Sequence, residues 1–312
     1  MTKIIEAVNS FVWGAPALVM ILSVGVLITA VTGFVQIRKF PRAVVRFLSL
    51  FRRSSGEDGG MTGLQTLCTA LGATCGTGNL VGVAGAICIG GPGSIFWMWV
   101  CGFLGMAIKY AEAMLAVFYR VDTPEGFRGG PMYTMQNALG LPWLAKLYSL
   151  FGVIAAFGVG NVTQINAVVS GIDGMTGGGS FFAHLCIGTG LAFLAGILLL
   201  GGAGRIGRAA ECLVPVAAAG YILMCAVLLI YKRSDIPSAF ARILRGAFDP
   251  GAVTGGILGS GMQALRVGCS RGVFTNEAGM GTASIAHASA QVDHPAEQGL
   301  MGILEVFLDT IF

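Results

Sequence analysis

Long uninterrupted apolar runs dominate this chain, rather than an alternation at period two or a one-sided helical stripe. Crossing the hydrocarbon layer takes about 20 apolar residues in a helix. Seven complete runs of that kind lie at roughly 14–36, 64–88, 94–119, 147–171, 182–201, 210–231 and 251–268, and each predicts a membrane-spanning helix. An eighth begins near residue 298 and reaches Phe312 before it is long enough to cross. That pattern raises the expectation of a product or fragment shortened inside a hydrophobic segment. The first run follows a short, nearly uncharged leader with no small-residue cleavage site, so it reads as a retained span and not a signal peptide. The predicted fold class is therefore an all-α polytopic membrane protein.

Composition agrees with the pattern. Of 312 residues, 55% are hydrophobic and 11% charged, against about 25% charged in a typical soluble domain. Mean hydropathy is +0.79. A soluble protein built this way would expose large apolar patches and aggregate. The 49 glycines fit membrane helices, where small residues let backbones approach closely. A net charge of +4 carried by loop residues points to the lipid bilayer as partner and not to nucleic acid. Cys68, Cys75, Cys88, Cys101, Cys186, Cys212 and Cys225 sit in or beside apolar runs without a C-x-x-C pair, and read as small buried hydrophobes. His287 and His294, near Asp293, occupy a polar stretch without metal-ligand spacing.

Basic residues set the predicted orientation. Arg38, Lys39, Arg42, Arg46, Arg52 and Arg53 follow the first run, and Arg120, Arg128, Lys146, Arg205, Arg208, Arg266 and Arg271 fall on the same side. Fewer lie opposite: Lys3, Lys232, Arg233, Arg242 and Arg245. The N-terminus is thus predicted outside and the first long loop cytoplasmic. Ile236–Phe248 reads as an interfacial amphipathic helix, which accounts for some of the charge on the outer side.

Three runs are more than lipid-facing rods. The second contains Thr74, Cys75, Gly76, Thr77, Gly78 and Asn79 near its middle. Each glycine costs a helix about 1 kcal/mol relative to alanine, so the cluster invites unwinding. Unwound backbone at membrane depth is tolerated where it lines a cavity or is buried in protein. Its freed carbonyls can then hold a cation and its amides a carboxylate. The competing reading is a close-packing face made by Gly72, Gly76, Gly78 and Gly82. A dinucleotide loop is excluded, because Val81 stands where the third glycine belongs and no strand precedes it. The fourth run carries Asn161, Thr163, Gln164 and Asn166, which line a pocket or bond neighbouring helices. The seventh reads Gly255-Gly256-Ile257-Leu258-Gly259-Ser260-Gly261-Met262-Gln263, a second interrupted helix. Two interrupted helices separated by several spans are a pointer to a transporter binding site. Lys109 and Glu112, three apart in the third run, either pair with each other or snorkel at the helix end. Runs two, four and seven have no central acid, which argues against a proton relay and for a cation site of carbonyl, amide and hydroxyl oxygens, ligands that suit Na⁺.

From about Leu64 onward the chain resembles the alanine or glycine:cation symporter family, the sodium:alanine symporters. The match is carried by Gly90-Gly91-Pro92-Gly93-Ser94-Ile95-Phe96-Trp97-Met98-Trp99-Val100 with Gly105 to Glu112, and by Gly76-Thr77-Gly78-Asn79. Gly129-Gly130-Pro131-Met132-Tyr133 and Gly160-Asn161 with Gln164 follow in order. The last blocks are Arg271-Gly272-Val273-Phe274-Thr275-Asn276-Glu277-Ala278-Gly279, Ile285-Ala286-His287-Ala288 and Asp293-His294-Pro295. The resemblance implies a leucine-transporter-type fold of two inverted five-helix repeats around a midplane site. It implies one transmembrane domain over 1–312, with an extra leading helix at 14–36, a first repeat over about 62–231 and a partial second repeat over about 251–312. On that mapping Thr74, Gly76, Thr77, Gly78, Gln164, Gly259, Gly261 and Met262 bind substrate, and Asn79, Gly76 and Ser260 bind Na⁺. Family members continue well beyond Asp309, so the second repeat is incomplete here, including the helix that supplies hydroxyl ligands to one Na⁺ site.

The resulting functional expectation is symport of a small neutral amino acid, alanine or glycine, with Na⁺ as coupling ion and no other cofactor, by alternating access across the plasma membrane. The alternative is an inactive shortened product of such a carrier. An enzyme is disfavoured by the lack of a nucleophile–base set or metal-ligand pair at membrane depth, and a passive channel by the two interrupted helices.

Overall fold

A computed structural model describes residues 14–51, 61–124, 126–248 and 260–312. The first helix, α1 (Ala15–Val31), is shorter than the run that predicts it. Gly33 and then Phe34 turn to positive φ, +62° and +56°, and the chain leaves the helix there. Glycine adopts that region without steric cost and phenylalanine rarely does, so the corner is set at Gly33. Two helices follow, α2 (Val35–Arg38) and the amphipathic α3 (Phe40–Leu50).

The second run forms α4 (Gly63–Thr74) and, after a break, a π-helical turn (Gly78–Gly82) leading into α5 (Val83–Gly90). A reciprocal cap starts α4: the Thr62 hydroxyl accepts from the Gln65 amide and the Gln65 side chain from the Thr62 amide, each at 3.2 Å. The long α6 (Gly93–Phe118) comes next, then a small hairpin of β1 (Val121–Thr123) and β2 (Gly126–Arg128), with Asp122 opposite Phe127. After α7 (Pro131–Asn137), α8 (Pro142–Ala155) continues through a π turn into α9 (Thr163–Thr176) as one 35-residue rod. Then come α10 (Phe181–Leu199), α11 (Gly202–Tyr231), α12 (Ile236–Phe248), α13 (Ser260–Asn276), α14 (Thr282–Ala288) and α15 (Pro295–Val306), the last ending in a π turn over Phe307–Ile311.

Among the described residues, four helices are long and apolar enough to cross a membrane, and the bent pair α4–α5 makes a fifth. The expected Ile236–Phe248 helix is present and amphipathic. The seventh run differs from expectation. Residues 251–259 lie outside the described part, and the helix that follows extends to Asn276, well past Gly268. Arg266 and Arg271, counted from sequence among the basic residues of the predicted cytoplasmic side, are therefore helical, as are Lys146, Arg205 and Arg208. A hydropathy run stops at the first charges, whereas the backbone continues as long as one face can be buried. On α13 that face is Ala264, Gly268, Cys269, Gly272 and Val273, which are buried, while Arg266 points out.

Helix α6 is the axis of the packing, with α1, α12, α13, α14 and α15 laid against it. Small residues set the spacing. A Cβ on Gly93 would lie 2.2 Å from the Gly246 carbonyl of α12, and one on Gly302 of α15 would lie 2.8 Å from the Lys109 carbonyl oxygen. Apolar clusters fill the remaining gaps: Val35, Met106, Ala107, Ile303 and Val306 in one, Ala43, Leu50, Leu67, Met301 and Leu304 in another. The helices α10 and α11 have no buried face in their apolar windows. An all-round apolar helix left uncovered by protein is one that lipid solvates. The cysteines divide the same way: Cys68, Cys101 and Cys269 are buried, whereas Cys75, Cys88, Cys186 and Cys212 are exposed, against the expectation that the thiols are buried.

Candidate functional site

The break in the second run is the centre of the site. Helix α4 ends at Thr74, Cys75 swings to an extended ψ of 90°, and the two halves meet at a bend of 46°. Side chains take over the backbone groups that the helix gives up. The Gly76 amide donates to Asn79 Oδ1 at 3.0 Å, and the Thr77 amide donates to Gln164 Oε1 of α9 at 3.4 Å. A Cβ on residue 76 would come within 2.9 Å of Gln164 Nε2, so the approach of that side chain requires glycine. The Thr74 hydroxyl turns back to the Ala70 carbonyl at 3.2 Å. Gly78 faces α13, where its Cβ would meet Thr275 Cγ2 at 3.2 Å and the Phe274 ring at 3.4 Å.

Asn79 connects the break to α15. Its Nδ2 donates to the Asp309 carbonyl oxygen at 2.8 Å and to Asp309 Oδ1 at 2.9 Å. The other carboxylate oxygen accepts from the Thr310 hydroxyl at 2.8 Å, and Thr310 lies 3.5 Å from the Thr275 hydroxyl. A carboxylate and two hydroxyls thus gather beside the unwound backbone, with the Asn79 NH2 turned to the carboxylate; carboxylate and hydroxyl oxygens are hard donors of the kind that suit a small cation. Runs two, four and seven carry no central acid, and it is the eighth segment that brings one, Asp309, to the break.

A second polar layer lies one helical turn from Asp309. Lys109 and Glu305 are fully buried and form an ion pair at 3.5 Å. Glu305 Oε2 is 2.7 Å from His287 Nε2, and Gln298 Nε2 is 2.6 Å from His287 Nδ1. Two sequence readings are corrected here. Lys109 neither pairs with Glu112 nor snorkels; its side chain points into the α6–α15 contact, while Glu112, three residues on, accepts the Gly279 amide at 3.0 Å. His287, read from sequence as part of a polar stretch, lies inside the packed core, on α14. Charged groups at this depth persist only when paired and hydrogen-bonded, and this layer joins α6, α14 and α15 through one carboxylate.

The remaining residues expected at the site are placed as follows. Gly259 lies outside the described residues. Ser260 and Gly261 open α13, and Met262 is 68% exposed. This end of α13 lies beside the end of α5, where Gln263 donates to the Ile89 carbonyl oxygen at 2.9 Å, rather than beside the break. The interruption seen in this segment falls later, between Asn276 and Thr282, where Glu277, Gly279 and Gly281 all have positive φ. Of the four polar residues in the fourth run, Gln164 reaches the break; Asn161 is exposed and donates to the Ala156 carbonyl oxygen of its own helix at 2.8 Å. Asp309, Thr275 and Thr310 were not singled out from sequence. The available signal was an acid inside an apolar run, which is a functional marker by default.

A broken span braced by distant polar side chains, beside outer helices whose apolar windows are uncovered by protein, is the architecture of a multi-pass membrane protein. The comparisons with known proteins specify the family. The chain matches the model of the sodium:alanine symporter family over residues 1–312 and belongs to that family. It is 44% identical over 312 residues to an uncharacterized transporter of Haemophilus influenzae, covering 99% of this chain and 67% of that protein. It is 43% identical over 314 residues to the sodium/alanine symporter AgcS of Methanococcus maripaludis, with 99% and 68% covered. A probable sodium/glutamine symporter, GlnT of Bacillus subtilis, is 35% identical over 312 residues, with 100% and 63% covered. The chain spans about two thirds of the length of these relatives.

Proposed function

We propose that this chain carries the binding centre of a secondary carrier that moves a small neutral amino acid, alanine or glycine, together with Na⁺. The observation that carries the reading is the bracing of the break: two backbone amides at Gly76 and Thr77 held by Asn79 and Gln164, with Asp309 tied to the same Asn79. A substrate carboxylate entering there would share those amides with Gln164 and Asn79, which hold the unwound backbone in place to receive it. Of the relatives' names, sodium/alanine belongs to the more similar protein, 43% identical against 35% for the sodium/glutamine symporter.

The substrate set is Thr74, Gly76, Thr77, Gly78 and Gln164; Gly261 and Met262, also expected in it, sit at the other end of α13 beside α5, and Gly259 lies outside the described residues. Na⁺ would sit near Asn79, the Gly76 carbonyl and Asp309, whose carboxylate neutralises the ion where amides and hydroxyls cannot; the expected Ser260 opens α13 at its other end, beside α5. The fold is of the leucine-transporter type, with 64–88 and 251–268 as the two broken helices, one in each inverted repeat. The N-terminus lies outside, and inward Na⁺ flow drives rigid-body alternation around the site. Uptake of labelled alanine by cells expressing the protein tests this. Uptake should collapse when choline replaces Na⁺; uptake that ignores the replacement refutes the coupling. Competition by excess glycine but not by excess glutamine is expected, and the reverse order would refute the substrate class.

A further inference from the structure

Helix α3 presents three different sectors. Ala43, Phe47 and Leu50 face inward and pack on α4 and α15. Val45 and Leu48 face out, 67% and 58% exposed, an arrangement costly in water and ordinary in the acyl region of a bilayer. Arg42, Arg46 and Ser49 form the third sector, spaced three and four apart on one side of the helix. That sector and the α15 residues Glu297 and Leu300 line an open groove of about 480 Å³.

The two arginines in the groove differ in what they are free to do. Arg46 is committed, with Nη2 2.6 Å from Glu297 Oε2, a pair that fastens α3 to α15. Arg42, one turn earlier and exposed, has no ion pair or hydrogen bond among the described residues. Arg38 and Lys39 precede it, and it lies in the first turn of α3, at the positive end of the helix dipole. The groove therefore offers a free planar guanidinium in a basic neighbourhood, with apolar Val45 and Leu300 alongside. A guanidinium matches phosphate oxygens bidentately, and basic clusters beside membrane helices attract anionic headgroups.

We propose that this groove binds an anionic phospholipid, with the phosphodiester on Arg42 and the acyl chains along Val45, Leu48 and Leu300. The apolar half of the groove is what selects a lipid over a free phosphate ion. Native mass spectrometry of the purified protein, titrated with dioctanoyl phosphatidylglycerol or dioctanoyl phosphatidylcholine, provides the test. The anionic lipid should bind about fivefold more tightly, the effect of one basic side chain near the surface, and Arg42→Gln should reduce that preference to within twofold. Because Arg42 is exposed and unpaired, the variant should melt at the wild-type temperature. Should it fail to fold, raising salt on the wild-type protein serves instead, and must weaken phosphatidylglycerol binding while sparing phosphatidylcholine. Equal binding of the two lipids, an unchanged preference in Arg42→Gln, or displacement of phosphatidylglycerol by inorganic phosphate at matching concentration each overturns the proposal.

Discussion

Replacing Gly76 with alanine tests the site at its tightest point. The added methyl would sit 2.9 Å from Gln164 Nε2 and 3.2 Å from its Oε1. Both atoms are the far end of a flexible side chain, so Gln164 can rotate away and the fold absorbs the change. What is lost is the Gln164 acceptor for the Thr77 amide. A net hydrogen bond is worth about 1 kcal/mol, and alanine's helix preference adds about 1 kcal/mol against the unwound conformation. Together these predict a rise in the KM for alanine of roughly 5–30-fold, with little change in melting temperature. Gln164→Ala removes the same hydrogen bond, so the double variant Gly76→Ala/Gln164→Ala should be no worse than Gly76→Ala alone. The measurement is a double-mutant cycle on initial uptake rates over a range of alanine concentrations. Additive losses, or a Gly76→Ala variant with unchanged KM, would refute the argument that the glycine exists to admit Gln164.

Three further outcomes follow from the packing and the polar layers. Asp309→Asn keeps an acceptor for Asn79 but removes the charge, so the Na⁺ concentration for half-maximal uptake should rise about tenfold, as expected for a lost charge-assisted contact, and an unchanged Na⁺ dependence excludes Asp309 from the cation site. Lys109→Met leaves Glu305 buried without its cation and should cost about 3–5 kcal/mol; the double variant Lys109→Met/Glu305→Gln should recover part of the lost thermal stability in detergent, and no recovery argues against the pair. Gly93→Ala drives a methyl into the Gly246 backbone, which cannot rotate aside, so it should destabilise by about 1–3 kcal/mol and loosen α12, read as faster proteolysis near residue 248; wild-type behaviour on both counts contradicts the close packing.

The break in the second run was legible because its signals are local. Gly76 and Gly78 in the middle of an apolar run mark a weak helix wherever they occur, and the bend lies there. Of the two readings left open for that run, close packing is seen at two of its glycines: a Cβ on Gly72 would lie 3.1 Å from Val214 Cγ2 of α11, and one on Gly76 2.9 Å from Gln164 Nε2. Gln164 could be selected among four polar neighbours only by knowing which face of α9 turns inward. Non-local pairings were not legible. Lys109 and Glu112 satisfy an i, i+3 rule, but the rule is silent about Glu305, which is nearly two hundred positions away and nearer in space. Asp309 was read as a marker of likeness and not as a ligand, because nothing in the order of the chain says that the eighth segment returns to the second. The end of α13 was misjudged for a related reason: its arginines lower the hydropathy, yet its glycine-rich face is what α6 receives.

The Asn79 side chain accepts from the Gly76 amide with one atom and donates to Asp309 with the other. One planar group therefore belongs to two sites at once. If a cation at Asp309 and a carboxylate at Gly76 each set the tilt of that amide, their affinities are linked, and thermodynamic reciprocity fixes the linkage in both directions. Whatever factor Na⁺ contributes to amino-acid binding, the amino acid must return to Na⁺ binding, and Asn79→Ala is the change that should reduce both factors toward one.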